Sequence, residues 1–285
     1  MSTAGLLLVL IAAFCHASWN FLLKRINGGP ELLWLLSVVS VVIILPAAVF
    51  VIVHDRPVLD GEAFWLIAGS SVLHIGYFLL LQRGYRAGDL SLVYPTARAT
   101  GPFLATVFAV IVLGEKMNTQ IATGGFAVIF GVLCLTGGFG RKARHVVTSL
   151  AYGVATGALI ASYTVWDAYA VSAALVPPIL LEFVSMAVRT VLLAPLAASR
   201  WEATGALWRN HRGAVVGIAV LSPLAYILVL YALTFTPVVY VAPVREVSVL
   251  LTVLLGTLVL GEGRLKPRLG WALLIVTGVA LLSTG

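Results

Sequence analysis

The side chains best equipped for chemistry lie inside long apolar stretches. His16, Trp19 and Asn20 are spaced i, i+3 and i+4, which places them on one face of a helix. Tyr163, Trp166 and Asp167 repeat that spacing 147 positions later. His74 and Tyr77 share a helical face, as do Tyr94 and Arg98, and Ser222 and Tyr226. Aromatic walls carrying a few hydrogen-bonding groups suit non-covalent binding of an apolar or aromatic small molecule. For any single tyrosine, a hydroxyl satisfied between two helices is the competing reading. For Trp19 and Trp166 the competitor is an aromatic belt at a membrane surface.

The charged members pose a sharper choice. Arg98 and Arg245 each open an 18-residue window, RATGPFLATVFAVIVLGE and REVSVLLTVLLGTLVLGE, and each window ends in Leu-Gly-Glu. A guanidinium matches a carboxylate in two-point geometry, so either arginine is a candidate anchor for a substrate carboxylate. The alternative is that each snorkels to its own interface or braces a gate. Glu182, Ser185 and Arg189 fall on one face, where a Glu–Arg pair would lower the expense of both charges. Glu246 follows Arg245 directly and faces elsewhere, without an evident partner. His16, His74, Asp167 and Glu182 are the inner groups able to carry a proton.

Catalysis is poorly provided for. The 11 acidic residues are scattered, and Asp55, Asp60 and Glu62 are the nearest approach to a cluster. Neither a metal-binding carboxylate set nor a nucleophile–base pair emerges, so no enzyme, metal or cofactor is expected. Cys15 and Cys134 stand alone in apolar runs and read as small buried hydrophobes.

The elements that position these groups follow from hydropathy. The 285 residues are 61% hydrophobic and 10% charged, with a mean hydropathy of +1.06. A soluble domain is about half apolar and a quarter charged, so a lipid bilayer is the expected partner of most of the chain. The net charge of +7 lies in short clusters between apolar runs, which excludes a nucleic-acid surface. Runs long enough to span a bilayer occur near 4–23, 32–53, 63–82, 91–113, 120–139, 148–170, 178–198, 213–234, 238–260 and 268–284. Asn27-Gly28-Gly29-Pro30, Arg56-Pro57, Pro177-Pro178 and Thr236-Pro237 punctuate the joins. No charge precedes the first run, so it reads as a retained helix and not a signal peptide.

Of 18 Lys and Arg, 13 fall in odd-numbered loops: Lys24, Arg25, Arg83, Arg86, Arg141, Lys142, Arg144, Arg200, Arg209, Arg212, Arg264, Lys266 and Arg268. Even-numbered loops hold only Arg56 and Lys116. The positive-inside rule then places odd loops in the cytoplasm and both termini outside, in a bacterial-type inner membrane. The 147-residue offset recurs at Gly131-Val132 and Gly278-Val279, while Tyr77 and Tyr226 pair at 149. The reading is an all-α polytopic membrane protein of ten transmembrane helices in two five-helix repeats, 1–140 and 146–285. Five is odd, so the second copy enters the membrane inverted, as in many secondary transporters.

In this combination of ten spans, a five-plus-five duplication and Leu-Gly-Glu closing the fourth and ninth helices, the chain resembles EamA-type members of the drug/metabolite transporter superfamily. The resemblance implies a carrier of small metabolites, with amino-acid exporters prominent among bacterial members. Alternating access on small neutral or aromatic amino acids is the leading expectation. A lipophilic-cation exporter would want an acid deep in its pocket, and the first helix offers none.

Overall fold

A computed structural model describes residues 1–24, 26, 30–87, 90–135, 146–260 and 265–285. The turn at Asn27-Gly28-Gly29, the Gly261-Glu262 end of the second window, the junction between the two repeats, and Arg25, Arg141, Lys142, Arg144 and Arg264 lie outside the described residues.

The first half holds α1 (Thr3–Lys24), α2 (Pro30–Phe50), α3 (Gly61–Ala87), α4 (Leu90–Val112) and α5 (Thr119–Leu135). A short π-helical turn, Val51–Asp55, extends α2 and ends at Arg56, whose φ of 46° closes it in the left-handed region. The second half holds α6 (Val146–Ser172), α7 (Pro178–Ala198), α8 (Trp201–Leu233), α9 (Val238–Arg245), α10 (Val247–Leu260) and α11 (Leu265–Thr284). Local chemistry fixes several starts. Ser2, Asp60 and Asn118 each accept a backbone N–H in the first turn of α1, α3 and α5. Pro177 and Pro237 precede α7 and α9, where a missing N–H carries no penalty.

Eight stretches are long and apolar enough to cross a bilayer, with α9 and α10 counted together as Val238–Leu255. Thr119–Leu135 and Leu269–Thr284 are apolar but shorter. These make up the ten expected spans. Two readings need correction. Residues 201–210, expected in a loop, are helical, and α8 turns through His211 at φ −132° and ψ 22° before its apolar part begins. The ninth span is not one helix: Glu246 carries a turn between α9 and α10.

The packing obeys an exchange of halves. α1 packs on α8 and on α9–α10, while α6 packs on α3 and α4. α2 meets α7, α5 meets α11 and α4 meets α9, each a pair of pseudo-equivalent helices. Because the main contacts run between repeats, the interior lies between them, and polar groups on α1, α3, α4, α6, α8 and α9 converge there.

The α5–α11 seam shows how tight the contact is. A Cβ on Gly278 would lie 2.7 Å from the Gly124 carbonyl oxygen, and one on Gly124 would lie 2.9 Å from that of Gly278. Only a residue without Cβ allows this backbone approach. Gly278→Ala is therefore expected to destabilise the protein by about 1–3 kcal/mol, the usual range for overpacking. Gly270→Ala, where nothing lies within 4 Å, should be neutral or stabilising. Thermal melts of the two variants in detergent check this; equal melting temperatures would show that the seam yields.

Candidate functional site

Asp167 of α6 is fully buried at the centre. The Tyr226 hydroxyl of α8 donates to its Oδ2, and Oδ1 has no hydrogen-bond partner. Nε2 of His74, from α3, lies 3.9 Å from Oδ2. Nδ1 of that ring donates to the Ser70 carbonyl at 2.9 Å, the assignment a carbonyl acceptor requires. Rings close around the pair. His74 stacks on Tyr163 with centroids 4.2 Å apart and meets Tyr226 edge-on at 5.3 Å. Tyr77 meets Tyr163 edge-on at 5.7 Å. Four residues of α3, α6 and α8 thus form one aromatic wall around one acid.

The two arginines behave differently. Arg98 of α4 sets Nη2 3.0 Å from Glu246 Oε2 and donates to the Ser248 hydroxyl at 3.3 Å. This binds the fourth span of one half to the broken ninth span of the other, and it supplies the partner that Glu246 lacked in the sequence. Arg98 is thus engaged by Glu246 and Ser248. Arg245 forms no ion pair or hydrogen bond among the described residues, although it lies within Coulombic range of Glu246 and of His16, His74, Asp167, Tyr163 and Tyr226. Unlike Arg98, it touches no acid directly and lies beside the aromatic wall.

The sequence profile of the EamA-like transporter family matches residues 3–137 and again 148–284. This chain belongs to the EamA-like transporter family. A solved structure titled only "Crystal structure of protein" has the same fold, with a TM-score of 0.71 at 17% identity. That alignment covers 97% of this chain and 98% of the other. No curated protein matches. The EamA-like chain is thus a multi-pass membrane transporter built of two repeats.

Other residues of this EamA-like protein fall nearer or farther from the centre. His16 and Trp19 meet edge-on at 4.9 Å on α1. The Asn20 amide donates to the His16 carbonyl at 2.7 Å, and Trp19 Nε1 is buried without a partner. Tyr94 and Ser222 make no hydrogen bond among the described residues; Tyr94 is within Coulombic range of Arg98, and Ser222 is half-buried on α8. Trp166 sits apart from the cluster. Its indole donates to the Leu66 carbonyl at 2.8 Å and covers Gly69, where a Cβ would lie 2.4 Å from the ring. That is a packing contact on the α3–α6 seam. Glu182 and Arg189 make no direct ion pair among the described residues but lie within Coulombic range of each other, and Ser185 Oγ between them is buried without a partner.

A further residue stands out through the repeat motif. Both carboxylate oxygens of Glu115, in the Leu-Gly-Glu that follows α4, accept the backbone N–H groups of Val238 and Val239 at 2.7 and 2.9 Å. An acid at a helix start satisfies unpaired donors and faces the positive end of the helix dipole. Burial pushes this carboxyl above its usual range, with the two N–H groups pulling it back down. The motif was visible in the sequence, but not the helix it caps 123 residues away. No group of three or more His, Cys, Asp and Glu among the described residues has the arrangement to hold a metal.

Proposed function

We propose that this EamA-like transporter carries small neutral or aromatic amino acids, or closely related metabolites, out of the cell. It would do so by alternating access between the repeats 1–140 and 146–285, in a bacterial-type inner membrane with both termini outside. The observation that carries the reading is Arg245, a guanidinium with no direct ion pair among the described residues, within Coulombic range of His74, Tyr163 and Tyr226. A carboxylate on the cation, an apolar side chain against the rings and an ammonium toward Asp167 give each part of an amino acid a complementary surface.

A second reading has its own support. Asp167 is the deep acid that a lipophilic-cation exporter wants, supplied by α6 instead of α1. Arg245 weighs against it, because a cation without a carboxylate would meet positive charge beside the acid. Uptake into proteoliposomes of aromatic, aliphatic, hydroxyl and cationic amino acids, with tetraphenylphosphonium alongside, separates the two. Saturable uptake of neutral amino acids, competed by aromatic ones, is expected. Uptake of tetraphenylphosphonium alone would overturn the amino-acid reading in favour of the second.

A further inference from the structure

The seat of Asp167 is poorly suited to a bare carboxylate. The group is fully buried, and its hydrogen-bonding neighbours among the described residues are two neutral hydroxyls, those of Tyr226 and Ser70. The closest basic nitrogen, His74 Nε2, is 3.9 Å away and belongs to a ring whose Nδ1–H already points at the Ser70 carbonyl. In a neutral imidazole of that tautomer Nε2 holds a lone pair, so carboxylate and imidazole would face each other with like-signed edges. A proton on one of them, or a cation between them, removes the conflict.

The surrounding charges frame the same choice. Arg245 of α9 and Glu182 and Arg189 of α7 are the charged groups around Asp167 and His74. Arg98 of α4 is committed to Glu246, and Tyr163 of α6, Tyr77 of α3 and Tyr226 of α8 are phenols. The first repeat supplies an internal comparison. Asn20 occupies the equivalent place, 147 positions earlier, as a neutral amide bonded within its own helix. A short polar side chain is enough for that position in the fold; an ionisable one occurs in only one repeat.

We propose that Asp167 is the coupling site of the carrier, holding a proton when the cavity is empty and yielding it when the ammonium group of an amino acid takes that place. The inference rests on the amino-acid reading above. The displaced proton passes to water on the side the cavity faces. After the substrate leaves on the opposite side, Asp167 takes a proton from the water there. No covalent bond in the substrate changes. One zwitterion moves against one proton, so each cycle carries one positive charge across the membrane.

Calorimetry of the detergent-solubilised protein in two buffers of different ionisation enthalpy counts the protons. L-phenylalanine is expected to release about one proton per molecule bound at a pH where Asp167 is protonated in the empty protein. N-acetyl-L-phenylalanine, which keeps the carboxylate but lacks the ammonium, should release none, and Asp167→Asn should abolish the release with phenylalanine. Phenylalanine binding without proton release, or release persisting in Asp167→Asn, overturns the proposal. Infrared difference spectra between acidic and alkaline solution test the acid without any substrate. A carboxylic-acid carbonyl band that Asp167→Asn removes is expected, with its midpoint moved to higher pH in Tyr226→Phe, where the ionised form loses a donor. Absence of that band in the wild type at neutral pH also overturns it. If no amino acid binds while the band is present, the substrate reading fails and the proton site stands.

Discussion

Replacing Arg245 by Gln is expected to weaken binding of a zwitterionic amino acid by roughly 30-fold to 1,000-fold. Two charge-assisted hydrogen bonds from a guanidinium to a carboxylate in a water-poor site are worth about 2–4 kcal/mol, and each 1.4 kcal/mol is a factor of ten in Kd. The effect should exceed that of any single aromatic substitution in the wall. Arg245→Lys keeps the charge but loses the two-point geometry, so it should recover only part of the affinity. Phenethylamine, which lacks the carboxylate, provides the control: its affinity should not fall in Arg245→Gln. Titration calorimetry on the purified variants reads both ligands. An unchanged Kd for phenylalanine would remove Arg245 from the site and return attention to Arg98, which the ion pair with Glu246 now occupies.

The second large effect concerns that pair. Glu246 is 1% exposed and Arg98 15%, so neither charge has water to fall back on. Glu246→Met leaves the Arg98 guanidinium buried without a counter-charge, and removing one partner of a buried pair destabilises by about 3–5 kcal/mol. The double variant Arg98→Met with Glu246→Met has no orphaned charge and should be much closer to wild type in stability. Thermal unfolding in detergent, analysed as a double-mutant cycle, measures the coupling. If the single Glu246→Met variant is as stable as the double, the pair contributes no net cohesion between the halves.

Much of the architecture could be read from hydropathy because a bilayer imposes one demand, about 20 apolar residues per crossing. Two features escaped for the same reason. The helix at 201–210 carries Trp201, Trp208 and Arg209 and is too polar for a hydropathy window to register, whatever its backbone does. The break at Glu246 occupies a single residue within an apolar run, and a window of 19 averages it away. At the site, spacing identified which side chains share a face but not what that face meets. Trp166 and Asp167 are neighbours in sequence, yet one covers Gly69 on α3 and the other meets Tyr226 on α8. The Arg98–Glu246 contact joins residues 148 positions apart, and no local pattern signals it. Deep acidity was sought on the first helix, where the equivalent position holds Asn20, while the acid lies on the sixth.

Glu115 also bears on how the chain comes into being. It follows the fourth helix, and the N–H groups it accepts belong to the ninth, 123 residues later. While the chain is being made, this acid reaches the membrane well before Val238 and Val239 leave the ribosome. Until then its carboxylate has only water or lipid headgroups to bind. The early half therefore enters the bilayer with an unfilled contact, and its final geometry is settled by a segment not yet synthesised. Insertion of the first five helices and completion of their fold are separate events in time.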